Sequence, residues 1–308
     1  MRWFCFFCLW AGLSTVVAQE RTLSLDELLD VGRQFIEDNV DTNVLNSLPE
    51  IDQTAALEWL RRIEAQFDGE YVVDLAAFRN TAYRLVPLLE SLKATRPYAF
   101  WLKSRLDYFD AAEQFQKTIP QPKPTPGKPP PPRINPTPKQ QQTVWDRQLE
   151  KKPQPAGSAE TVMKLKPLFS AQKVPPQLVW LAEVESGFKV NAVSPVGAAG
   201  LFQLMPQTAT AMGLSLKPKD ERFDPEKSAR AAAKYLKYLH NKFKDWPLAL
   251  AAYNAGEGRV GNLLKKYKTN SFNGIAIHLP SETQMYVPKI DATIRKREGM
   301  SLGQLSSR

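Results

Sequence analysis

The chain has 308 residues, of which 43% are hydrophobic and 24% charged, and a formal net charge of +9. This composition excludes a wholly disordered chain and a polytopic membrane protein, and the length allows one or two domains. The charge is uneven, since residues 19–118 carry 11 Lys and Arg against 18 Asp and Glu, and residues 119–308 carry 29 against 14. The basic C-terminal part predicts an anionic partner such as nucleic acid, a membrane surface or a cell wall, although solvated surface lysines would give the same balance.

Residues 1–18 have the pattern of a secretory signal peptide. Arg2 is followed by an apolar run from Trp3 to about Leu13, and small residues precede the predicted cleavage site after Ala18. We therefore expect an exported protein of the periplasm or cell envelope. The alternative is an uncleaved segment that associates the protein with the membrane, but the run is shorter than the roughly 20 residues of a spanning helix.

Both cysteines, Cys5 and Cys8, lie inside this segment. The mature chain would then have no thiol for a disulfide, for catalysis or for a thiolate metal site. We expect neither a metal nor another cofactor. Cys8 also follows Phe7 rather than the small residues of a lipoprotein signal, so a lipid anchor is not predicted.

Residues 19–118 predict a small helical N-terminal domain of unknown role. Ser24 and Glu27 fit a capping box at the start of its first helix. Apolar residues then recur at helical spacing. The recurring residues are Leu25, Leu28, Leu29, Phe35 and Ile36, then Leu57, Leu60, Ile63 and Phe67, then Leu75, Phe78, Ala82, Leu85 and Leu89, and then Leu102, Leu106 and Phe109. These stripes indicate core packing, and nothing among them resembles a catalytic constellation.

Residues 119–142 predict a proline-rich linker. Ten prolines occur in the nineteen residues from Pro120 to Pro138. Such a stretch cannot keep a helix or a sheet ladder, and its default state is an extended, polyproline-like spacer of about 3 Å per residue, which is about 60 Å if fully extended. We expect it to separate two units. A proline motif that binds another protein is the alternative.

Residues 143–308 predict a second, predominantly α-helical domain. Helix starts are indicated by prolines and by capping residues. These residues are Pro175 with Pro176, Asp224 with Pro225, and Ser281 with Gln284 as a capping box. No alternating strand pattern of any length occurs, so the whole chain is expected to be mainly α.

Glu185 is the acid that the helical pattern singles out. It continues an apolar stripe at i, i+3, i+4 and i+7. The stripe consists of Leu178, Leu181, Ala182 and Glu185. Burial of a carboxylate raises its pKa, and a helix that ends at Gly187 would place Glu185 near the negative end of the helix dipole, which acts in the same direction. Glu183 points about 200° away around the helix, so the two acids cannot form a facing pair.

A carboxylic acid that stays protonated near neutral pH can protonate a leaving glycosidic oxygen. The helix alone leaves a second interpretation open, in which Glu185 reaches solvent or pairs with a lysine. The segment that follows decides between them, because it carries a long and ordered motif. It reads ESGFKVNAVSPVGAAGLFQLMPQTATAMGL and begins at Glu185.

This segment resembles the lytic transglycosylases of the lysozyme superfamily, glycoside hydrolase family 23. Their signature is Glu-Ser followed by Ser-Pro-x-Gly-Ala-x-Gly-Leu-x-Gln-x-Met-Pro-x-Thr-Ala. The matching residues are Glu185, Ser186, Ser194, Pro195, Gly197, Ala198, Gly200, Leu201, Gln203, Met205, Pro206, Thr208 and Ala209. Two later segments, AAYNAGEGRV and LPSETQMYVPKI, follow in the order of the family.

The later segments, with Glu257 where many relatives have proline, are most similar to the membrane-bound lytic transglycosylase D group. The resemblance covers roughly residues 160–295 and implies a lysozyme-like SLT catalytic domain within residues 143–308. Neither a lipoprotein cysteine nor the wall-binding repeats of that group are recognised, so the mode of attachment stays open.

The resemblance also implies roles for individual residues. Glu185 would be the sole catalytic acid and base, with other side chains lining the sugar subsites or supporting the site from behind. The expected substrate-binding residues are Ser194, Gln203, Met205, Tyr253 and Asn254, and the expected supporting residues are Ser186 and Glu282. Simpler roles remain open for some of them: Met205 as core filler, Tyr253 as packing, and Glu282 as a first-turn acid stabilised by the helix dipole.

The implied reaction is cleavage of the MurNAc-β-1,4-GlcNAc bond of peptidoglycan. Ordinary glycosidases use two carboxylates, whereas the motif contributes one. The resemblance implies that the 6-hydroxyl of the muramic acid attacks instead and forms a 1,6-anhydroMurNAc end. The rivals are a hydrolase like the goose-type lysozymes, in which Asp220, Glu221 or Asp224 would hold a water, and a non-catalytic wall-binding scaffold. We expect glycan strands rather than nucleic acid as the partner, and a monomer.

Overall fold

The computed structural model describes residues 50–123, 127 and 131–305, with side chains from residue 56 onwards. The predicted signal peptide and the capping box of Ser24 and Glu27 lie outside the described residues. Within the described part the chain forms helices and two isolated β-bridges, without a strand. The expectation of a mainly α fold is confirmed. No helix in this part of the chain is long and apolar enough to cross a membrane.

Four α-helices and one 3₁₀ helix form the N-terminal part. They are α1 (Glu50–Phe67), the 3₁₀ helix Val72–Phe78, α2 (Arg79–Ser91), α3 (Arg96–Lys103) and α4 (Leu106–Thr118). The apolar spacing of Leu102, Leu106 and Phe109 predicts one continuous helix, but the helix is interrupted at Ser104 and Arg105, between α3 and α4. This break places Arg105, which is buried, immediately before α4.

An aromatic cluster fills the core of this N-terminal part. The ring centroid of Phe67 lies 5.7 Å from that of Tyr108 and 5.3 Å from that of Phe109. Trp145 joins the cluster at 5.2 Å from Tyr108, although it follows the proline-rich segment. It lies on α5 (Pro138–Glu150), which begins inside the predicted linker because Thr137 and Gln140 form a capping box and Pro138 occupies the first turn.

The proline-rich segment does not hold its two ends apart. Gln121 donates to the main-chain oxygen of Ile134 at 3.1 Å and accepts from its main-chain N–H at 2.9 Å. Asn135 next accepts from the N–H of Val72 at 2.9 Å. The expectation of an extended spacer of about 60 Å is therefore wrong, because side-chain hydrogen bonds to the main chain return the segment to the N-terminal helices.

The described residues from Glu50 onwards belong to one compact unit. The predicted domain boundaries at residues 118 and 142 stay a prediction. Within this unit the helices pack around two hydrophobic cores, one N-terminal and one C-terminal. Their shared element is α13 (Ser281–Glu298). Met285 and Ala292 of α13 belong to the N-terminal core, whereas Tyr286 and Ile290 belong to the core of the C-terminal helices.

The C-terminal part consists of further helices, with a long loop of residues 187–205 between two of them. They are α6 (Ser158–Ala171), the 3₁₀ helix Pro176–Trp180, α7 (Leu181–Ser186), α8 (Pro206–Ala211), the 3₁₀ helix Glu221–Phe223, α9 (Pro225–Phe243), α10 (Trp246–Ala255), α11 (Glu257–Tyr267), α12 (Phe272–Ile275), the 3₁₀ helix Ala276–His278, α13 and the 3₁₀ helix Leu302–Gln304. The starts predicted at Pro176 and at Pro225 are confirmed. Asp224 caps α9 by accepting from the N–H groups of Glu226 and Lys227 at 3.0 Å each.

The capping box predicted from Ser281 and Gln284 is wrong. Pro280 precedes α13, and no side chain caps this helix start. Ser281 instead donates to the main-chain oxygen of Phe67 at 2.9 Å, and Gln284 donates to that of Glu70 at 2.8 Å. Both side chains thus hydrogen-bond α13 to the end of α1 and to the residues that follow it. The local cap does not form because these tertiary partners use the same polar groups.

Candidate active site

The short helix α7 brings Glu185 to its position. Residues Pro176–Trp180 form a 3₁₀ turn that leads into α7, and Gly187 ends the helix at a φ of 59°. This left-handed backbone conformation is favourable for glycine, because glycine lacks the Cβ that would clash with the backbone in other residues. Glu185 therefore lies in the last turn of α7, as predicted, and only 4% of its surface is exposed.

The carboxyl group of Glu185 has one hydrogen-bond donor and one more distant cation. Tyr286 Oη of α13 donates to Glu185 Oε1. Arg105 Nη2 lies 3.9 Å from Glu185 Oε2. Burial raises the pKa of Glu185 to about 7, while the charge of Arg105 and the hydrogen bond from Tyr286 act in the opposite direction. Near neutral pH the group is thus close to the midpoint of its titration and can both give and take a proton.

Glu183 faces another part of the protein, as the helical spacing predicts. It is 5% exposed, and its two carboxylate oxygens accept from Arg297 at 2.8 and 3.0 Å. The two-point contact with a guanidinium fixes the carboxylate of Glu183 in place. Two equally buried glutamates on one helix therefore have different environments, and Glu185 has the weaker ion pair.

Ser186 connects α7 to the loop that carries the motif. Its hydroxyl donates to Ala182 O at 3.1 Å and is 2.9 Å from Leu201 O. The side chain is buried and does not reach the surface. These contacts join the end of the helix to the motif loop, and the supporting role of Ser186 stays a prediction.

Gly200 allows the motif loop to pass close to another segment. Its φ is 79°, and a Cβ at this residue would lie 2.0 Å from the main-chain oxygen of Arg222. The guanidinium of Arg222 in turn donates to Gly197 O at 2.7 Å and to Leu204 O at 2.9 Å. Close backbone approach thus explains Gly200, whereas a Cβ at Gly197 would have open space and this glycine is explained by its φ of 90°.

Ser194 is buried within the same loop. Its hydroxyl accepts from the N–H of Ala198 at 3.0 Å, and its own N–H donates to the main-chain oxygen of Ala198 at 2.8 Å. The side chain therefore closes a turn. No outward-facing hydroxyl for a sugar is apparent at this residue, which is 3% exposed.

Gln203 and Met205 follow in the loop and differ in exposure. Gln203 has a φ of 44°, and its amide nitrogen donates to Ala192 O at 3.1 Å and to Gly200 O at 2.9 Å. Its Oε1 is buried and has no protein partner. Met205 is 37% exposed. An unpartnered amide oxygen and an exposed apolar side chain are features that a ligand can use, whereas core filling does not describe Met205.

Tyr253 and Asn254 lie at the end of α10. Tyr253 Oη donates to Phe202 O at 2.7 Å, which joins α10 to the motif loop. Burial, with a further contribution from the charge of Glu185, raises the pKa of Tyr253 well above its ordinary value, so its hydroxyl stays protonated. Asn254 Oδ1 accepts from the hydroxyl of Thr283 at 2.5 Å.

Glu282 lies in the first turn of α13 and pairs with a residue that the sequence analysis did not consider. Arg105 Nε is 3.0 Å from Glu282 Oε1. The same guanidinium faces Glu185, so Glu282 is linked to the candidate acid through Arg105 rather than by a direct bond. None of the side-chain hydrogen bonds of Glu282 in the described part of the chain reaches Glu185 or an expected substrate-binding residue.

Sequence reasoning missed Tyr286 and Arg105. Tyr286 follows Glu282 by four residues, and this spacing on a predicted helix indicates a shared face. That signal was available. Arg105 has no local signal, because it lies 80 residues before Glu185 and 177 before Glu282, in a segment assigned to packing.

A cleft of about 440 Å³ extends from Glu282 towards α1. It is lined on one side by α1 residues and on the other by the ends of α10 and α13. The lining includes Arg61, Glu64 and Asp68 on one side and Asn254, Glu282 and Thr283 on the other. Burial raises the pKa of Glu64 to about 7, and its Oε2 has no protein partner. In the described part of the chain no three His, Cys, Asp or Glu side chains are grouped to hold a metal ion.

Residues 169–275 match the family described as Transglycosylase SLT domain. The chain contains an SLT domain. Glu185, Ser186 and the expected substrate-binding residues all lie inside the match, whereas Arg105, Glu282 and Tyr286 lie outside it. The SLT match thus contains the motif but not the two side chains that contact the carboxyl group of Glu185.

Two curated relatives show the extent of the similarity. Membrane-bound lytic murein transglycosylase D of Escherichia coli (strain K12) is 40% identical over 126 residues, which are 39% of this chain and 27% of the relative. A putative tributyltin chloride resistance protein of Alteromonas sp. (strain M-1) is 37% identical over 102 residues, or 32% and 49% of the two chains. The SLT-containing chain therefore spans less than half the length of either relative.

Among solved structures, the 70 kDa soluble lytic transglycosylase SLT70 from Escherichia coli aligns with a TM-score of 0.44 and 22% identity. The alignment covers 94% of this chain and 47% of that one.

Proposed function

We propose that this protein is a peptidoglycan lytic transglycosylase that cleaves the MurNAc-β-1,4-GlcNAc bond and leaves 1,6-anhydroMurNAc ends. The observation that carries the proposal is Glu185, a buried carboxyl group within the SLT match whose pKa is raised to about 7. Glu185 acts as both acid and base. The relative named membrane-bound lytic murein transglycosylase D supports the substrate class.

In the first step Glu185, in its protonated form, gives its proton to the glycosidic oxygen. The bond between that oxygen and C1 of the muramic acid breaks, and positive charge develops on the sugar ring. The carboxylate that remains is stabilised by the hydrogen bond from Tyr286 and by the guanidinium of Arg105. The same two groups are therefore useful after the proton has left.

In the second step the 6-hydroxyl of the same muramic acid attacks C1. A new bond forms between O6 and C1, and the hydroxyl proton passes to the carboxylate of Glu185. The acid is restored, no water is consumed, and the product is the 1,6-anhydro sugar. An internal nucleophile has a high effective concentration, which offsets the lack of a second catalytic carboxylate.

The surroundings of the other acids support a single catalytic carboxyl. Glu183 is paired with Arg297 and Glu282 with Arg105. The acids that a hydrolase would need for water also have other partners: Asp220 binds Arg222, Glu221 pairs with Lys227, and Asp224 caps α9. Each of these five is engaged in holding the fold, so none of them is free to activate a water in place of the 6-hydroxyl. Glu64 of the cleft, whose Oε2 has no protein partner, faces Arg105 and Glu282 rather than Glu185.

Gln203, Met205, Tyr253 and Asn254 bind the glycan in this proposal. The Oε1 of Gln203 is buried without a protein partner, so in this proposal the side chain turns outwards to accept from an N–H or O–H group of the sugar. Exposed Met205 packs against a ring face. Tyr253 borders the reacting ring through its position near Glu185. Ser186 and Ser194 hold the loop in shape, although Ser194 was expected to contact the sugar.

The proposed site of action is the cell envelope, with glycan strands as the partner and no nucleic acid. The signal-like residues 1–18 and the basic residues 119–308 support this location and partner. An uncleaved signal segment would add membrane association. The protein acts as a monomer.

Mass spectrometry of purified sacculi digested with the protein tests the reaction. Anhydro ends are expected, each lighter by one water than a reducing end. Reducing ends would instead identify a hydrolase like the goose-type lysozymes, and an inert wild-type protein would favour a wall-binding scaffold.

Glu185→Gln tests the acid. General acid–base groups contribute about 10²–10⁴-fold, so digestion is expected to fall by at least about 100-fold. Glu183→Gln is the matched control, since it alters an equally buried glutamate of the same helix that is outside the site. Full digestion by Glu185→Gln would remove the assignment.

A further inference from the structure

Arg105 is held rigidly at the break between α3 and α4. Its guanidinium stacks over the ring of Trp101, with the central carbon 4.7 Å from the ring centroid. Nη1 also donates to the hydroxyl of Ser104 at 3.1 Å. Only 7% of the side chain is exposed. A stacked and buried guanidinium keeps its donors in a fixed plane, which a lysine ammonium does not.

This guanidinium contacts the main chain at the end of α7. Arg105 Nη1 donates to the carbonyl oxygen of Glu185 at 3.3 Å, and the hydroxyl of Ser104 reaches the same oxygen at 3.3 Å. The last carbonyls of a helix lack partners within the helix and carry partial negative charge. Ser104 and Arg105 therefore hold in place the residue that carries the candidate acid.

Arg105 also lies between two carboxylates. Its Nε is 3.0 Å from Glu282 Oε1, and its Nη2 is 3.9 Å from Glu185 Oε2. A buried carboxylate without a nearby cation takes up a proton, because ionisation in a poorly solvated site is costly. Arg105 lies closer to Glu282 than to Glu185, so its charge is divided unequally and stabilises the carboxylate of Glu185 less strongly. Such a division allows Glu185 to lose and regain its proton.

We infer that Arg105 is a positioning residue for Glu185, and that the break between α3 and α4, outside the SLT match, completes the candidate active site. The inference rests on the proposed role of Glu185. It gives the N-terminal helices a part in the reaction itself. A chain cut to the SLT match would lack this guanidinium.

Several titratable groups face Glu185 from the elements packed around it. They are Arg105 and Tyr108 of the N-terminal helices, Tyr253 of α10, and Glu282, Tyr286 and Lys289 of α13. Glu64 of α1 faces Arg105. Against the larger effect of burial, Arg105 lowers the pKa of Glu185 and Glu282 raises it. Changes at these two residues should therefore have opposite effects on the pH dependence of the reaction.

The experiment is the pH profile of muropeptide release from sacculi. The rate of the wild type should decline as Glu185 loses its proton near pH 7. Arg105→Met is expected to move this decline upwards by about one pH unit, and Arg105→Lys by less, since a lysine keeps the charge. Glu282→Gln is expected to move the decline of the rate to lower pH, because the charge of Arg105 then acts on the carboxylate of Glu185 without competition from Glu282. Loosened packing would not produce shifts of opposite sign.

Arg297→Met is the matched control. Arg297 is as buried as Arg105, at 7% exposure for each side chain, and it pairs with Glu183 on the same helix. Its loss should leave the decline at the wild-type pH when rates are compared at equal folded fraction. Profiles of Arg105→Met and Glu282→Gln that coincide with the wild type would overturn the inference. If Arg105→Met does not fold, Arg105→Lys and Glu282→Gln carry the test.

A second readout does not depend on activity. The side-chain carboxyl carbon of Glu185 can be titrated by NMR and identified by its absence in Glu185→Gln. Its midpoint should rise in Arg105→Lys and fall in Glu282→Gln. An inert wild type would remove the proposed function, whereas an unchanged midpoint in both variants would remove the inference about Arg105.

Discussion

Tyr286 donates a hydrogen bond to the carboxyl group of Glu185 from 101 residues further along the chain. Burial raises the pKa of Tyr286 well above its ordinary value, and the charge of Glu185 adds to this, so the phenol remains a donor throughout the working pH range. The tyrosine stabilises the ionised form of Glu185. It therefore favours the loss of the proton in the first step of the proposed reaction.

Tyr286→Phe should slow digestion of sacculi by about 10-fold or more, because a hydrogen bond to a charged group contributes about 1.5–3 kcal/mol. It should also move the decline of the rate to higher pH, since a stabilising donor to the carboxylate is lost. The measurement is the pH profile of muropeptide release. Tyr238→Phe is the control: its hydroxyl is 2.9 Å from an oxygen of Glu257, at an exposed site away from Glu185. Equal profiles for the two variants would contradict the prediction.

Glu185→Gln should stabilise the protein above pH 7. The pKa of Glu185 is about 7 in the folded chain against an ordinary 4.5, so the unfolded chain loses this proton first as the pH rises. Stability from this group is complete below pH 4.5, falls between 4.5 and 7, and is constant above 7. Glutamine at this position removes the loss of stability, which is at most about 3.5 kcal/mol, since one pKa unit corresponds to about 1.4 kcal/mol.

The measurement for this prediction is denaturant unfolding of both proteins at pH 4 and pH 8. The variant should differ little from the wild type at pH 4 and exceed it at pH 8. Glu183→Gln provides the contrast, because removal of the carboxylate leaves Arg297 buried without its partner and should destabilise at pH 8. A Glu185→Gln variant that is less stable than the wild type at pH 8 would be evidence against the raised pKa.

Gly200→Ala should destabilise the fold by at least about 2 kcal/mol. The φ of 79° is unfavourable for alanine, and the new methyl group would lie 2.0 Å from the main-chain oxygen of Arg222. Thermal unfolding should show a midpoint lowered by about 5 °C or more. Gly258→Ala is the control, since a Cβ there meets nothing within 4 Å and α11 would gain helix propensity. A Gly200→Ala midpoint equal to that of the wild type would show that the loop can move aside.

Raising the salt concentration should weaken retention on sacculi. Residues 119–308 carry 29 Lys and Arg against 14 Asp and Glu, and salt screens the attraction of exposed charges to an anionic mesh. Retention is best measured by co-sedimentation of Glu185→Gln, which binds without digesting the mesh. Binding that is unchanged between low and high salt would assign retention to the cleft alone.

The local features of the fold were predictable where they depend on neighbouring residues. The helix end at Gly187 follows from the need for a left-handed residue, and the start at Asp224 and Pro225 follows from capping. The predicted cap by Ser281 was wrong because its hydroxyl donates to the main chain at the end of α1. The prediction of an extended proline-rich spacer was wrong for a similar reason, since hydrogen bonds of Gln121 and Asn135 bring the end of the segment back to its start and to the N-terminal helices.

The sequence by itself determined which glutamate is the candidate acid. Glu185 is singled out by its helical spacing and by the ordered motif from Ser186 to Ala209, both of which are properties of adjacent residues. Only the tertiary structure decided the surroundings of its carboxyl group. Tyr286 and Arg105 reach it from distant segments, and a contact between residues 80 or more positions apart leaves no periodicity or spacing in the chain from which it can be read.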